Sequence, residues 1–109
     1  MAVDDRRQHT RIAGPFDGQR IGALETPIRL YDLSRGGCFI VAMHEQRPGV
    51  EMTLRIDLPY VGAITVKAET LDRRDSYGFA VRFVEVPENV AVRLNRALDM
   101  LEKRKPSDP

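Results

Sequence analysis

Three arginines near the N-terminus are the residues best suited to bind an anion. Arg6, Arg7 and Arg11 lie in a polar segment without helical or strand periodicity. On an extended chain Arg7 and Arg11 point to one side, roughly 13 Å apart, and on a helical turn they are neighbours. Their planar guanidinium groups can grip phosphates or the O6/N7 edge of guanine, and can stack on bases. The alternative is a solvated arm that Asp4 and Asp5 partly neutralise.

A second polar cluster lies about twenty residues further along, in a turn between two predicted strands. It contains Asp32, Ser34 and the glycine pair Gly36-Gly37. Asp and Ser two residues apart favour side-chain bonds to the backbone that shape a turn. Glycine permits positive φ and a close approach to a ligand. Asp32 would offer an acceptor for guanine N1–H and N2–H, and the alternative is an ordinary hairpin turn.

The overall composition excludes several classes of protein. The 109 residues are 42% hydrophobic and 30% charged, which is typical of one globular domain. Seventeen Lys and Arg against sixteen Asp and Glu give a net charge of +1, which excludes a strongly basic coat protein. The single cysteine, Cys38, allows no internal disulfide, and with two histidines it falls short of a structural zinc site. No catalytic triad or phosphate loop is present, so we predict no enzyme.

Nothing in the sequence indicates a membrane segment. The N-terminal residues contain no apolar stretch, and acidic residues precede the arginines, so they do not form a signal peptide. The longest apolar run, from Cys38 to Met43, has six residues, whereas a spanning helix needs about 20. We therefore expect no membrane insertion and a cytoplasmic location.

Short segments between glycines and prolines predict an all-β domain. The candidate strands are residues 16–24, 28–30, 38–41, 52–58, 64–69 and 79–83. The last three alternate apolar and polar residues, as half-buried antiparallel strands do. The segment 38–41 is apolar throughout and is typical of a more completely buried strand. A small barrel of about six strands follows from this pattern.

The periodicity changes after Pro87. Apolar residues then recur at helical spacing, namely Val90, Leu94, Ala97, Leu98 and Leu101. Basic residues in the last turn suit the helix dipole, and Pro106 ends the helix. We therefore predict four segments: a flexible N-terminal arm over 1–13, a β-barrel over 14–86, a helix over 87–105 and a tail over 106–109.

The two polar clusters together resemble the signature of the PilZ domain, a bacterial receptor module for cyclic di-GMP. That signature is RRxxxR followed by [D/N]xSxxG. The chain carries both parts in full, as Arg6, Arg7 and Arg11 and then Asp32, Ser34 and Gly37. The segment 78–83 is also similar to the closing strand of the family, and the resemblance spans about residues 5–85.

The resemblance implies a six-stranded antiparallel β-barrel with a C-terminal helix, and a receptor that is not an enzyme and needs no cofactor. Its ligand would be cyclic di-GMP. Binding would order the arm against the barrel and create a surface for a downstream protein, which the sequence does not identify. An arginine at the position of Arg6 resembles family members that take an intercalated pair of ligand molecules, and Arg6 would stack on or bond a base.

The resemblance also assigns roles to the remaining signature residues. Arg7 and Arg11 would clamp phosphates and guanine edges from the arm. Asp32 and Ser34 would hold the other side of the ligand, and Gly37 would permit the turn. The sequence leaves open whether His9, Arg74 or Tyr77 touches the ligand, and it predicts that Cys38 is an inert core thiol.

Two other functions remain as alternatives. A PilZ-like adaptor without a ligand usually has a broken arginine motif, and the motif here is intact. A barrel that binds single-stranded nucleic acid usually combines a basic groove with exposed aromatics. This chain has four Phe, three Tyr and no Trp, and its outward strand positions mix both charges. We therefore do not expect a nucleic-acid polymer as the partner.

Overall fold

Six antiparallel strands form a closed barrel in the part of the chain that the computed structural model describes, residues 10–42, 46–75 and 77–104. The strands are β1 (Ile12–Ile21), β2 (Thr26–Leu33), β3 (Gly37–Val41), β4 (Glu51–Leu58), β5 (Gly62–Asp75) and β6 (Gly78–Glu85), and helix α1 (Glu88–Arg104) follows them. Their order around the barrel is β1-β2-β3-β6-β5-β4, closed by pairing of β1 with β4. The predicted all-β barrel with a C-terminal helix is confirmed.

Alternating side chains build the interior of the barrel. In β4, Met52, Leu54, Ile56 and Leu58 are buried, while the residues between them face outward or are half-buried. The same alternation places apolar residues of β5 inside, opposite those of β4. Because the period of a strand is two, β4 and β5 each contribute one face to the core and one to the surface. In β3 and β6, by contrast, consecutive residues are buried over 37–40 and 78–81.

Strand β1 begins earlier than the sequence analysis predicts. Ile12 and Ala13 were expected to belong to the arm, yet Ile12 is buried and pairs with Leu33, and Ala13 pairs with Asp32. Ile12 and Ala13 stand between polar residues and a Gly-Pro pair, with no alternation that would indicate a strand, and the pairing with β2 makes Ile12 part of the core. Arg11 therefore stands directly before a strand. Residues 1–9 and 106–109 lie outside the described residues.

Helix α1 packs on the barrel through its apolar stripe. Val90, Leu94, Ala97 and Leu98 are buried, as their spacing predicts. The helix is also attached by Arg93, whose Nη2 donates to the carbonyl oxygens of Val61 at 2.7 Å and Ala63 at 2.8 Å. Among the described residues, no helix has the length and apolarity needed to cross a membrane.

Two strands approach each other closely where β3 begins. Gly37 pairs with Arg82 of β6, and an added Cβ at Gly37 would collide with the carbonyl oxygen of Val81. A backbone oxygen in a paired strand cannot move aside as a flexible side chain can. Glycine at this position is therefore required by the packing of β3 against β6.

We expect Gly37→Ala to lower the free energy of unfolding by about 1–3 kcal/mol, because the added methyl forces β3 and β6 apart. Gly22→Ala is the matched control, since the nearest atom to its methyl would be the Leu24 carbonyl oxygen at 3.8 Å. That control should change stability by no more than about 0.5 kcal/mol. Urea unfolding followed by circular dichroism measures both. Equal stability of the two variants would contradict this close approach.

Candidate functional site

An ion pair joins the residue before β1 to the end of β2. The Nη1 atom of Arg11 lies 3.1 Å from the Oδ1 atom of Asp32 and donates a hydrogen bond to it. The register of β1 on β2 causes this contact, because Ile12 pairs with Leu33 and Ala13 with Asp32. The Asp32 side chain is only 16% exposed, whereas that of Arg11 is 47% exposed. The structure thus brings together one residue from each sequence cluster.

The turn after Asp32 is closed by its own hydrogen bonds. The Ser34 backbone N–H donates to the Gly37 carbonyl at 2.8 Å, and the Ser34 hydroxyl donates to the same oxygen at 3.2 Å. The hydroxyl also accepts from the Gly36 N–H at 3.2 Å. Phe83 of β6 then donates its backbone N–H to the Gly36 carbonyl at 2.8 Å. Ser34 is buried and shapes the turn, whereas the Asp32 carboxylate is partly exposed and bonds Arg11.

A bulge in β2 determines which side chains surround Asp32. Leu30 and Leu33 are both fully buried although they are three residues apart, which a regular strand does not allow. The pairing of β2 with β3 shifts between Leu30 and Asp32, and this bulge restores Leu33 to the core. Tyr31 consequently faces outward and Asp32 is half-buried beside it.

The ion pair borders a surface recess of about 380 Å³. Its side-chain lining includes Arg11, Arg29, Tyr31 and Asp32, and its floor is formed by the start of β1 and by Leu30. Arg29 also pairs with Asp17 at 3.3 Å, but both side chains are more than half exposed, and such pairs contribute little to stability. The recess therefore offers two guanidinium groups and one carboxylate. This combination suits a ligand that has both anionic groups and hydrogen-bond donors.

The sequence analysis did not single out Arg29 or Tyr31. Both flank Leu30, so alternation along β2 was enough to place them on the outer face. What alternation lacked was the position of β1, whose first residues also line the recess. The strand pattern thus placed Arg29 and Tyr31 on the surface, but it did not show that β1 lies beside them.

An aromatic cluster adjoins the recess at Tyr31. The ring of Tyr31 lies 6.2 Å from that of Phe39 and 5.7 Å from that of Tyr77, and the last two rings are 5.4 Å apart. Phe39 is buried, while Tyr31 and Tyr77 are about half exposed. Tyr77, left open by the sequence analysis, therefore lies next to a residue that lines the recess.

Of the other residues named from the sequence, three lie outside the described residues, Arg74 is described by its backbone alone, and Cys38 lies in the core. Arg6, Arg7 and His9 are among the residues that the structure does not describe, and the backbone of Arg74 pairs with Phe79. Cys38 is buried on β3, and burial raises the pKa of its thiol far above the usual range, with a further contribution from the Asp32 carboxylate. The thiol thus stays protonated, which does not suit a redox site.

No cluster of three or more His, Cys, Asp or Glu residues suitable for a metal ion occurs among the described residues.

Comparisons with known proteins point to one family. A model of the PilZ domain matches residues 5–99. The structure is similar to YcgR from Escherichia coli in complex with c-di-GMP, with 25% identity and a TM-score of 0.73 over 90% of this chain and 46% of that one. It is also similar to the isolated PilZ domain of YcgR with c-di-GMP, with 23% identity and a TM-score of 0.71 over 91% of this chain and 93% of that one.

A third similar structure is MrkH of K. pneumonia in its apo state, with 18% identity and a TM-score of 0.72 over 94% of this chain and 54% of that one. The chain thus spans about half the length of YcgR and of MrkH. At these identities the last two similarities show the fold alone. No curated protein matches this chain.

Proposed function

The chain belongs to the PilZ domain family, and on that premise we propose that it is a receptor for cyclic di-GMP. PilZ domains are receptors and not enzymes. The observation that carries the proposal is the Arg11–Asp32 ion pair at the edge of the recess, because it joins the two halves of the ligand-binding signature. Two solved structures with a similar fold contain c-di-GMP.

The chemistry of the recess matches the chemistry of this ligand. Cyclic di-GMP carries two phosphates, which attract guanidinium groups, and two guanines, which present N1–H and N2–H donors. Arg11 and Arg29 supply positive charge on the recess, and Asp32 supplies an acceptor that can take two hydrogen bonds. In the free protein Arg11 donates a hydrogen bond to the Asp32 carboxylate, so a guanine edge would replace this bond or share the carboxylate with Arg11.

We propose that residues outside the recess complete the site. Ligand sites have volumes of about 300–1,000 Å³, and a recess of about 380 Å³ lies near the lower limit of that range. Arg6 and Arg7 precede Arg11 by five and four residues in the sequence, close enough along the chain to reach the same ligand. We propose that Arg7 clamps a phosphate or guanine edge together with Arg11, and that Arg6 stacks on or bonds a base.

The turn residues have separate roles in this proposal. Asp32 contacts the ligand directly. Ser34 acts by closing the turn that orients Asp32, because its hydroxyl is buried and bonded to Gly36 and Gly37. Gly37 lets the turn enter β3 against β6 without a clash.

Signalling would follow from the position of the arm. Ligand held between the arm and β2 would fix the arm over the recess and create a new surface there. We propose that a downstream protein, not identified by the chain itself, binds that surface. The protein would act in the cytoplasm, where a second-messenger receptor meets its ligand.

The direct test of this function is calorimetric titration with cyclic di-GMP. We expect the wild type to bind, and Arg11→Ala and Asp32→Ala each to weaken binding tenfold or more, since a charged hydrogen bond contributes about 1.5–3 kcal/mol. Lys67→Ala is the control, because Lys67 pairs with exposed Glu85 and lies on β5, which is not adjacent to β1 or β2. Absence of binding by the wild type would refute the receptor function.

The role of Arg29 has its own test. We expect Arg29→Ala to weaken cyclic di-GMP binding by about three- to tenfold and to reduce its dependence on salt, because one phosphate contact is lost. Asp17→Ala breaks the same surface ion pair while leaving the guanidinium in place. That control should bind as tightly as the wild type. Equal losses of affinity in both variants would show that Arg29 affects binding only through its ion pair with Asp17 and does not contact the ligand.

A further inference from the structure

A side chain of the binding turn reaches helix α1. Arg35 lies between Ser34 and Gly36, at a position that the signature DxSxxG leaves unspecified. Its Nε donates to the Asn95 side-chain oxygen at 2.8 Å, and its Nη2 lies 2.7 Å from the Asp99 carboxylate. The turn and the helix are thus joined by two hydrogen bonds from one guanidinium group.

The arrangement requires arginine. Asn95 and Asp99 are four residues apart and therefore lie on the same face of α1. A planar guanidinium donates to both at once in fixed directions, whereas the ammonium of lysine is a single point of charge on a flexible stem. The side chains of Arg35 and Asp99 are 35% and 55% exposed, so the ion pair adds little to global stability. Its effect is to fix the orientation of two elements.

Both ends of this connection are rigid. The backbone around Arg35 is held by the bonds between Ser34 and Gly37 and by the bond from Phe83 to Gly36. At the other end, α1 is fixed on the barrel by its buried stripe and by Arg93. A displacement of the turn must therefore either move α1 or break the two bonds of Arg35.

We propose that Arg35 is a positioning residue that couples the ligand site to α1. The helix, acting through Arg35, holds the turn so that Asp32 faces the recess. Since coupling between two sites is reciprocal, a ligand on Asp32 tightens the attachment of α1 in return. Helix α1 is then a second route, besides the N-terminal arm, by which ligand occupancy changes the protein. This inference rests on the proposed receptor function.

The first test measures affinity for cyclic di-GMP by calorimetry. We expect Arg35→Ala, which loses both bonds, to weaken binding by about three- to tenfold, and Asp99→Ala, which leaves the bond to Asn95, to weaken it less. The double variant should be no weaker than Arg35→Ala alone. Arg35→Lys should recover only part of the loss, because lysine cannot bond both partners in fixed directions. The matched control is Arg93→Ala, which removes the other arginine attachment of α1 without touching the turn, and it should stay within about twofold of the wild type.

The second test measures hydrogen exchange of the α1 amides with and without saturating cyclic di-GMP. We expect the ligand to slow exchange in residues 90–101 of the wild type and to have no such effect in Arg35→Ala, although that variant is also saturated. A merely structural role for Arg35 would not abolish this response.

The outcomes separate the two proposals. If the wild type binds cyclic di-GMP and Arg35→Ala binds equally well with the same slowing in α1, the coupling is wrong and the receptor function stands. If the loss of affinity in Arg93→Ala equals that in Arg35→Ala, general loosening of the helix explains both, and the role assigned to Arg35 is overturned. If the wild type itself does not bind, the receptor function fails and the coupling fails with it.

Discussion

The register between β1 and β2 is the constraint on which the site depends. Ala13 pairs with Asp32, and this pairing places Arg11, the residue that precedes β1, against the Asp32 carboxylate. A slip of one residue would turn Ile12 out of the core and carry Arg11 away from Asp32. The closed barrel prevents such a slip, because β1 is held on its other side by β4. Core packing thus determines where the arginine segment meets the barrel.

The same ion pair prepares the site for a ligand. Arg11 is more exposed than Asp32, and a partly exposed pair of this kind is worth about 1 kcal/mol or less, so a ligand can replace it at little cost. Until then Asp32 limits the orientations of Arg11, which lowers the entropy lost when the guanidinium closes on a phosphate. The turn bonds of Ser34 and the contacts of Arg35 with α1 hold Asp32 from the other side.

The strands whose pattern is local were predictable from the sequence, and the contacts between distant segments were not. Alternation in β4 and the helical stripe of α1 identified both elements and their buried faces. The start of β1 was missed because Ile12 and Ala13 show no alternation with their neighbours. The bulge at Tyr31 was missed because it depends on pairing with β3. The partners of Arg35 lie sixty and more residues away, beyond any local pattern.

In the candidate site, too, local features were predictable from the sequence and contacts between distant segments were not. The two polar clusters were singled out from residue types and spacing, and the resemblance to the PilZ domain identified them as a signature. The structure brings Arg11 and Asp32 into contact. The roles of Arg6 and Arg7 remain predictions. Arg29 was visible only once the recess was known, since an outward arginine on a strand is ordinary by itself. Ser34 was expected to hold the ligand, but its burial favours support of the turn instead.

We propose that cyclic di-GMP binds at the junction of β1 and β2. Amide chemical-shift mapping during titration with the ligand tests this binding site most directly. We predict the largest shifts at Arg11, in residues 29–33 and in the turn up to Gly37, with small shifts in the hairpin between β4 and β5. A second recess of about 310 Å³, lined by residues including Arg20, Met52 and Phe79, serves as the internal comparison. Shifts concentrated there, or no shifts at saturating ligand, would contradict the account.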